Sequence, residues 1–440
     1  AIGALRPTNT WDFPTYLALA SVILIYTIIR YAPLPAWWLP TSPAWLRKSL
    51  VAALGVGLMF ILSSSLFTPF NRSFAQAYGT VDVWSGDHSP MASFLTHWGL
   101  FLFIIISWMI WETREWLAAT PVSALKKIKA LSGTLQTLAV LFVVILLGMA
   151  FFGIKVGWLT IPVGVWALIL IFRADMPDMK RLILFMIGTA MFLTTFVEMF
   201  ALQGDVGRMN TVFKFYFQAW TMLSLASAAA LVWLIPAVTT RWRLGISSVW
   251  QVALAFLVFG AALYPLTATM DKTRDRFNDS LPKTLNGTIF MKTSQYNDVQ
   301  GTYELAQDYD GIQWMRKNVM GSPVLVEANT VEYRWGNRYT IYTGLPGVLG
   351  WNFHQRQQRG FLDYNGIASR LDEIPSFYLT TRVEDALSFL KKYNVSYIIL
   401  GQEERALYPG DGLNKFDQYD GIYWQKVFSE KETEIFQVIR

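Results

Sequence analysis

The sequence predicts a polytopic α-helical membrane domain of about eight transmembrane helices, followed by a mixed α/β domain. Hydrophobic residues make up 53% of the 440 positions and charged residues only 15%, a composition too apolar for a soluble protein of this length. Long apolar runs fill residues 1–270, whereas charged positions alternate with short strand-like stretches afterwards. We therefore expect a transmembrane domain at 1–270, a linker or irregular loop at 271–307 and an extracytoplasmic α/β domain at 308–440.

Eight apolar runs are each long enough to cross a bilayer core of about 30 Å. Polar stretches separate them, as expected for helices that cross a membrane repeatedly. The runs lie near residues 14–30, 50–69, 91–111, 132–152, 154–172, 182–202, 212–237 and 246–266.

Basic residues are concentrated in every second loop between these runs. They are Arg47, Lys48, Lys126, Lys127, Lys129, Arg173, Lys180, Arg181, Arg241 and Arg243. The intervening loops carry single basic residues, which are Arg72, Lys155 and Arg208. We expect a multi-pass protein of the plasma membrane. Because Lys and Arg in short loops are retained on the cytoplasmic side, the N-terminus, the loop at Asp205 and the C-terminal domain should lie outside the cytoplasm.

Several classes of site are excluded by composition. The chain has no cysteine, so disulfides, thiolate catalysis and Cys-ligated zinc or iron–sulfur centres do not occur. The three histidines, His88, His97 and His354, are scattered, and we expect no metal site built on histidine. The net charge of +6 does not predict nucleic-acid binding, because much of the basic excess lies in the predicted cytoplasmic loops.

The region after residue 307 has the pattern of alternating helices and strands. "DYDGIQWMRKNV" (308–319) predicts a helix and "SPVLVEA" (322–328) a buried strand. "RVEDALSFLKKYN" (382–394) has acidic residues early and lysines late, which suits the helix dipole, and "VSYIILG" (395–401) follows as a second strand. "IYWQKVF" and "TEIFQVI" predict a closing strand pair. Four sequons, whose modification the sequence leaves open, are at Asn71, Asn278, Asn286 and Asn394.

Charged residues interrupt the apolar pattern between the sixth and seventh runs. Glu198 and Lys214 are equally distant from the middle of this hairpin, so they should lie at similar depth. One interpretation is an ion pair between them that orients the hairpin, with Asp205 capping a helix and Arg208 in the headgroup region. The other is that Arg208 and Lys214, together with Asp205 and Glu198, form a site for a lipid-linked phosphate.

Two further stretches have both a structural and a functional interpretation. Asp12 precedes Pro14 at the start of the first run, which suits either an N-cap or a substrate contact. The segment 342–360 contains four glycines, aromatic residues and basic residues. It predicts either a turn or a backbone site for a phosphate or sugar. The substrate-binding candidates are Asp12, Gly344, Gly350, His354, Arg356 and Arg359.

The sequence also resembles a known family. The blocks "LRPTNTWDFPTY", "THWGLFLF", "GRMNTVFKFYFQAW", "YTGLPGVLGW" and "KKYNVSYIILGQEERALYP" resemble the uncharacterised chlor-arch-YYY membrane proteins, named for a tri-tyrosine motif. That family looks like a branch of the GT-C glycosyltransferases, which take a sugar from a polyprenyl-phosphate carrier at the outer face of the membrane. The blocks correspond to the C-terminal half of the family pattern. The upstream acidic pair and tri-tyrosine motif have no match here.

The resemblance therefore implies a GT-C-like fold without the family's expected catalytic carboxylate. Transfer from such a carrier needs a carboxylate, often with a divalent cation, and cations that stabilise the leaving phosphate. Glu198, Asp205, Asp82 and Asp87 are the carboxylates that could substitute. We expect the C-terminal portion of a GT-C-like glycosyltransferase that works with an upstream segment or a partner membrane subunit. The alternative is a non-catalytic membrane scaffold or accessory subunit. A transporter is a weaker third alternative, because no paired interrupted spans occur.

Overall fold

The computed structural model describes residues 1–34, 41–75, 80–121, 123, 131–359 and 364–439. These residues belong to two compact units. The membrane unit comprises Ala1–Thr68 and Tyr78–Lys272, and the α/β unit comprises Pro69–Ala77 and Thr273–Arg440.

The membrane unit consists almost entirely of helices, with one short antiparallel strand pair. Its elements are α1 (Leu5–Thr8), α2 (Asp12–Tyr31), α3 (Ala44–Ser65), β1 (Val81–Val83), α5 (Met91–Ala119), α6 (Ser132–Phe151), α7 (Gly157–Ile171), α8 (Asp178–Met199), β2 (Phe200–Leu202), α9 (Met209–Thr240) and α10 (Leu244–Arg276), of which β1 pairs with β2.

Among the described residues, seven helices are long and apolar enough to cross a membrane: α2, α3, α5, α6, α8, α9 and α10. The prediction of eight spans differs from these seven helices, because the predicted span at 154–172 is the shorter helix α7 in the structure. At 15 residues, α7 is only about 22 Å long. It nevertheless runs from the side of His88, beside Gly153, towards Arg173, which contacts Glu112 at the far end of α5.

Helices α5, α8 and α9 form the centre of the membrane unit. In α8, 56% of the most apolar stretch is buried, whereas the fraction is 6% in α2 and α6. Helix α9 has Ala219, Ala226 and Ala230 in the core. Small side chains let two helices approach closely in an apolar environment, where packing rather than the hydrophobic effect holds helices together. The contacts of Glu198 described below therefore lie among the best-packed helices.

Basic residues from the loops predicted to be cytoplasmic lie together at one end of the membrane unit. Glu112 is buried and pairs with Arg173 at 3.3 Å and with Lys180. Arg241 pairs with Glu115 at 3.0 Å. This common location agrees with the predicted alternation of the loops, although the absolute orientation remains a prediction. Lys126, Lys127 and Lys129 lie outside the described residues.

The α/β unit contains a four-stranded mixed sheet covered by helices, and a separate hairpin. The sheet order is β5-β6-β8-β7, with β5 and β6 parallel and the other two pairs antiparallel; β3 pairs with β4. The elements are α4 (Thr68–Ser73), a 3₁₀ turn (Ile289–Lys292), β3 (Gln295–Asp298), β4 (Gly301–Glu304), α11 (Leu305–Asn318), β5 (Val324–Val326), α12 (Arg338–Thr343), α13 (Asn352–Gln358), α14 (Tyr364–Leu379), α15 (Val383–Lys392), β6 (Val395–Leu400), α16 (Gln402–Leu407), α17 (Lys415–Gln418), β7 (Trp424–Glu430) and β8 (Thr433–Val438).

The helix and strand predictions for 308–319, 322–328, 382–394, 395–401 and the closing pair are confirmed by α11, β5, α15, β6 and the β7–β8 hairpin. The predicted linker differs, because part of it folds into the 3₁₀ turn and the β3–β4 hairpin. Met291 and Tyr303 from this part are buried in the core of the α/β unit. The polar residues of these short strands hide their periodicity in the sequence.

A further segment extends the sheet beyond β5. The amide of Leu325 donates to the carbonyl of Pro346 at 2.9 Å, and the amide of Val348 donates to the carbonyl of Leu325 at 3.0 Å. The bridge between Leu325 and Gly347 is parallel. The segment around Gly347, β5 and β6 therefore run side by side in one direction, and their carboxyl ends meet at one edge of the sheet, which we call the carboxyl edge.

Candidate functional site

The turn between α8 and α9 is organised by Asp205. Gly204 and Gly207, with φ of 79° and 60°, adopt the left-handed conformation that glycine tolerates best. The Asp205 carboxylate accepts hydrogen bonds from the backbone amides of Thr211 at 2.8 Å and Asn210 at 3.2 Å. Burial alone raises the pKa of Asp205, but the hydrogen bonds from Thr211 and Asn210 lower that pKa below its ordinary value. Asp205 therefore caps the start of α9 as an ionised carboxylate.

Glu198, near the end of α8, is fully buried and pairs with Arg208. Glu198 Oε1 lies 2.9 Å from Arg208 Nη1, and Oε2 accepts the backbone amide of Ser89 at 2.9 Å. His88 Nδ1 lies 3.6 Å from the same Oε2. Arg208 also donates to the carbonyl of Val197 at 2.7 Å and to Ser89 Oγ at 3.1 Å. These contacts form one network between α8, α9 and the segment before α5.

The predicted ion pair of Glu198 with Lys214 is therefore wrong in its cation. Equal distance from the hairpin centre fixes depth but not direction. Residues advance about 100° around a helix, so Lys214 projects from a different flank of α9 than Arg208. A buried carboxylate requires a partner, and Arg208 supplies it at the same depth. The sequence contained one signal of this pairing: Arg208, directly before α9, is a second cation in the same hairpin as Glu198.

Lys214 belongs to a second cluster, on the flank of α9 that faces α2. Its ammonium group interacts electrostatically with Asp205 and Asp12. Asp12 is 9% exposed, and its Oδ1 accepts a hydrogen bond from Gln218 Nε2 at 2.8 Å. The Gln218 amide also donates to the carbonyl of Trp11 at 3.1 Å. We call Asp12, Lys214 and Gln218 the Lys214 cluster.

The capping interpretation of Asp12 is also wrong. The residue at the N-cap of α2 is Trp11, whose side chain makes no capping hydrogen bond. Asp12 instead lies in the first turn, where a carboxylate interacts favourably with the helix dipole and where Gln218 reaches it. Gln218 was missed in the sequence, although a polar residue four positions after Lys214 lies on the same helix face.

The surface of α9 beside Lys214 is aromatic and exposed. Phe213, Phe217 and Trp220 are 71%, 60% and 44% exposed, and they follow one another at helical spacing. At one edge of this face Trp220 contacts His97 and Trp98 of α5, as does the neighbouring Tyr216. A half-buried lysine therefore borders an apolar surface suited to contact with lipid chains.

The α/β unit contains a third polar cluster, centred on the buried Arg338. Arg338 forms a bidentate pair with Glu404, with both distances 2.9 Å, and contacts Asp308 at 2.8 Å. Glu404 Oε1 also accepts the amide of Ala328 at 2.7 Å. Burial raises the pKa of Glu404, but Arg338 and the hydrogen bonds lower it below its ordinary value. This cluster fixes the loop that follows β5, and no local pattern in the sequence indicates it.

Residues of the 342–360 segment have several different roles. Gly344, with φ of 77°, ends α12 in the left-handed conformation. The carbonyl of Gly350 accepts the Asn329 side-chain amide at 3.0 Å. His354 Nε2 lies 2.8 Å from the Tyr333 hydroxyl.

The two arginines of this segment do not have the same surroundings. Arg359 donates to the backbone carbonyl of Ser73, while Arg356 is half-buried on α13. The structure thus brings Gly350 and His354, but not Gly344, to the loop that follows β5.

Comparison with known proteins places the membrane unit in a family. No curated protein matches the chain. A family described as "Uncharacterized membrane protein (DUF2298)" matches residues 1–223, just over half of the 440 residues. The match includes Asp12, Glu198, Asp205, Arg208 and Lys214. The chain is therefore a member of the uncharacterized membrane proteins DUF2298.

Proposed function

We propose that the chain is the C-terminal portion of a GT-C-like membrane glycosyltransferase that binds a polyprenyl-phosphate-linked sugar at the outer face of the membrane. The observation that carries this proposal is the position of Lys214 beside the exposed aromatic face of Phe213, Phe217 and Trp220. A polyprenyl chain would lie along these rings, and its phosphate would reach the lysine at the end of the helix.

Asp12 is the carboxylate that could supply the missing base. In the transfer, the acceptor hydroxyl forms a bond to the anomeric carbon as the bond from that carbon to the phosphate oxygen breaks. The hydroxyl proton passes to Asp12, and the electron pair leaves with the polyprenyl phosphate. Protonated Asp12 no longer offsets the charge of Lys214, so the ammonium stabilises the leaving phosphate at the moment its charge increases. Asp205 remains occupied as a helix cap.

Binding of a fluorescent short-chain polyprenyl phosphate to the whole chain in nanodiscs tests this proposal. We expect Lys214→Met to weaken binding about ten- to a hundredfold, the cost of one charge-assisted contact. Lys155→Met is the matched control. Lys155 is an exposed lysine at the same end of the membrane unit, because its α6–α7 loop contains Gly153, which lies beside His88, a neighbour of Glu198. Equal affinity of wild type and Lys214→Met would contradict the proposal, and equal weakening by both variants would indicate non-specific charge attraction.

A non-catalytic scaffold or accessory subunit is the second candidate function. The pairing of Arg208 with Glu198 supports it, because two charges that could act on a substrate neutralise each other in the interior. Incubation of the chain with a radiolabelled polyprenyl-phosphate sugar distinguishes the two functions. Release or transfer of the sugar that is lost in Asp12→Asn supports the enzyme, whereas binding without turnover supports the subunit.

A further inference from the structure

The carboxyl edge of the sheet in the α/β unit collects residues from three parallel segments. Asn329 and Tyr333 follow β5, Trp351 follows the segment around Gly347, and Glu404 follows β6. In open α/β sheets, ligands bind outside the carboxyl ends of parallel strands, because the loops from neighbouring strands converge there. Neither candidate function uses this edge.

Tyr333 holds an unfavourable backbone conformation at this edge. Its φ is 66°, in the left-handed region that non-glycine residues rarely adopt, yet its side chain is 71% exposed. Among the described residues, the Tyr333 ring belongs to neither core cluster of the α/β unit and contacts only its neighbours at this edge, Trp351 and His354. Strained residues that the surroundings hold in place are frequent at ligand sites, so the conformation points to a role for the exposed ring.

Hydrogen bonds to buried groups hold both ends of this loop. The amide of Ala328 donates to Glu404, whose carboxylate is fixed by Arg338. The amide of Asn337 donates back to the carbonyl of Ala328 at 3.1 Å. A binding loop held by buried hydrogen-bonded groups loses little conformational freedom when a ligand binds.

The aromatic side chains form a platform rather than a cage. The ring centroids of Tyr333 and Trp351 are 5.0 Å apart, and those of Trp351 and His354 are 5.9 Å apart. These rings contact each other directly, so a cationic group cannot enter between them as it does in an aromatic cage. The exposed surfaces are the rings of Tyr333 and Phe353, 71% and 53% exposed. Neighbouring rings are inclined, by 62° for Tyr333 and Trp351 and by 70° for Phe353 and His354, so the exposed rings of Tyr333 and Phe353 suit a ligand that each ring contacts from outside.

Polar groups with hydrogen-bonding capacity lie at the rim of this platform. Glu332 Oε1 accepts the amide of Phe353, and the side-chain amide of Asn352 lies 3.5 Å from the same oxygen. A carboxylate has about four lone-pair positions, so Glu332 retains capacity for hydroxyl donors. Aromatic rings that contact C–H groups, combined with a carboxylate and an amide that bind neighbouring hydroxyls, are the chemical complement of a sugar ring.

We propose that the carboxyl edge of the sheet is a carbohydrate-binding site, with Tyr333 and Phe353 stacking on a sugar ring and Glu332 accepting its hydroxyl groups. The site requires no transferase activity and no polyprenyl phosphate. It would select neutral oligosaccharides, because the carboxylate at its rim disfavours anionic sugars.

The test is binding of the whole chain, in nanodiscs free of sugar-based detergent, to an array of neutral hexose and N-acetylhexosamine oligosaccharides. We expect wild type to bind a subset of these glycans and Tyr333→Ala, Phe353→Ala and Glu332→Gln each to lose at least tenfold in affinity. Phe277→Ala and Glu430→Gln are matched controls, because both residues are exposed in the same unit.

Two outcomes would overturn the proposal. One is a wild-type chain that binds no glycan on the array; the other is binding that the three site variants retain. The thermal unfolding midpoint of each variant shows whether a loss of binding comes from a loss of fold. Because polyprenyl phosphate binding is measured separately on Lys214, failure of either proposal leaves the other unaffected.

Discussion

The guanidinium of Arg208 lies 2.9 Å from the fully buried carboxylate of Glu198. The pair joins the end of α8 to the start of α9, and the amide of Ser89 donates a hydrogen bond to the other oxygen of the carboxylate. A charge inside an apolar environment is tolerated only with such partners. The hairpin that first suggested a ligand site is thus held by an internal ion pair, and Lys214 occupies a different flank of α9.

Removal of one member of this pair should destabilise the membrane unit more than removal of both. We expect Arg208→Gln to cost about 3–5 kcal/mol, because it leaves Glu198 charged and unpaired. The double variant Glu198→Gln/Arg208→Gln should recover most of that loss. Thermal unfolding in nanodiscs measures both. An additive double variant would show that the two residues do not stabilise each other.

The positions of the basic loops predict the sidedness of two sites in the membrane unit. The chain has no cysteine, so single cysteines can be introduced at Val206, which is 74% exposed, and at Arg243, which lies between α9 and α10. We expect an impermeant maleimide to label Val206→Cys from outside intact cells and Arg243→Cys only after permeabilisation. Labelling of Arg243→Cys from outside would reverse the orientation.

The stability of the α/β unit should depend on pH through Glu403. Burial raises the pKa of its carboxyl to about 7 from an ordinary value of 4.5; Arg338 opposes the rise, while Glu404, Asp298 and Asp308 add to it. Between these two pH values the folded state holds a proton that the unfolded state has lost. The contribution of Glu403 to stability therefore falls as pH rises from 4.5 to about 7, by on the order of 3 kcal/mol.

Glu403→Gln should remove the contribution of Glu403 to this dependence. The difference in unfolding free energy between Glu403→Gln and wild type should increase from pH 5 to pH 8, measured by denaturant titration of tryptophan fluorescence. Glu384→Gln on the exposed side of α15 is the matched control. A constant difference between Glu403→Gln and wild type across this range would exclude titration of Glu403.

The Tyr333→Gly variant should be more stable against unfolding than the Tyr333→Ala variant. Both substitutions remove the ring of Tyr333, but only glycine relieves the cost of a φ of 66°. We expect Tyr333→Gly to exceed Tyr333→Ala by about 1 kcal/mol in unfolding free energy. Equal stability of the two variants would mean that the loop relaxes to another conformation once the ring is gone.

Local patterns were sufficient for most elements of the fold. Apolar runs of sufficient length predict membrane helices because the bilayer requires about 20 apolar residues for each crossing. The run at 154–172 has that length, but its outer residues belong to the connections of α7, and run length alone does not reveal where a helix ends. The linker at 271–307 was a similar case, because polar residues in β3 and β4 hide the alternation of a strand.

The sequence alone determined the fold class, the division into an apolar and a polar region, and the residues around which sites could form. These properties follow from composition and from periods of 2 and 3.6 residues, which are local. Tertiary structure alone decided the partners: Arg208 rather than Lys214 for Glu198, Gln218 for Asp12, and Arg338 for Glu404. Each of these choices depends on the direction in which a side chain leaves its helix and on the helix that packs against it. Such contacts join residues up to 206 positions apart, a distance over which local patterns contain no information.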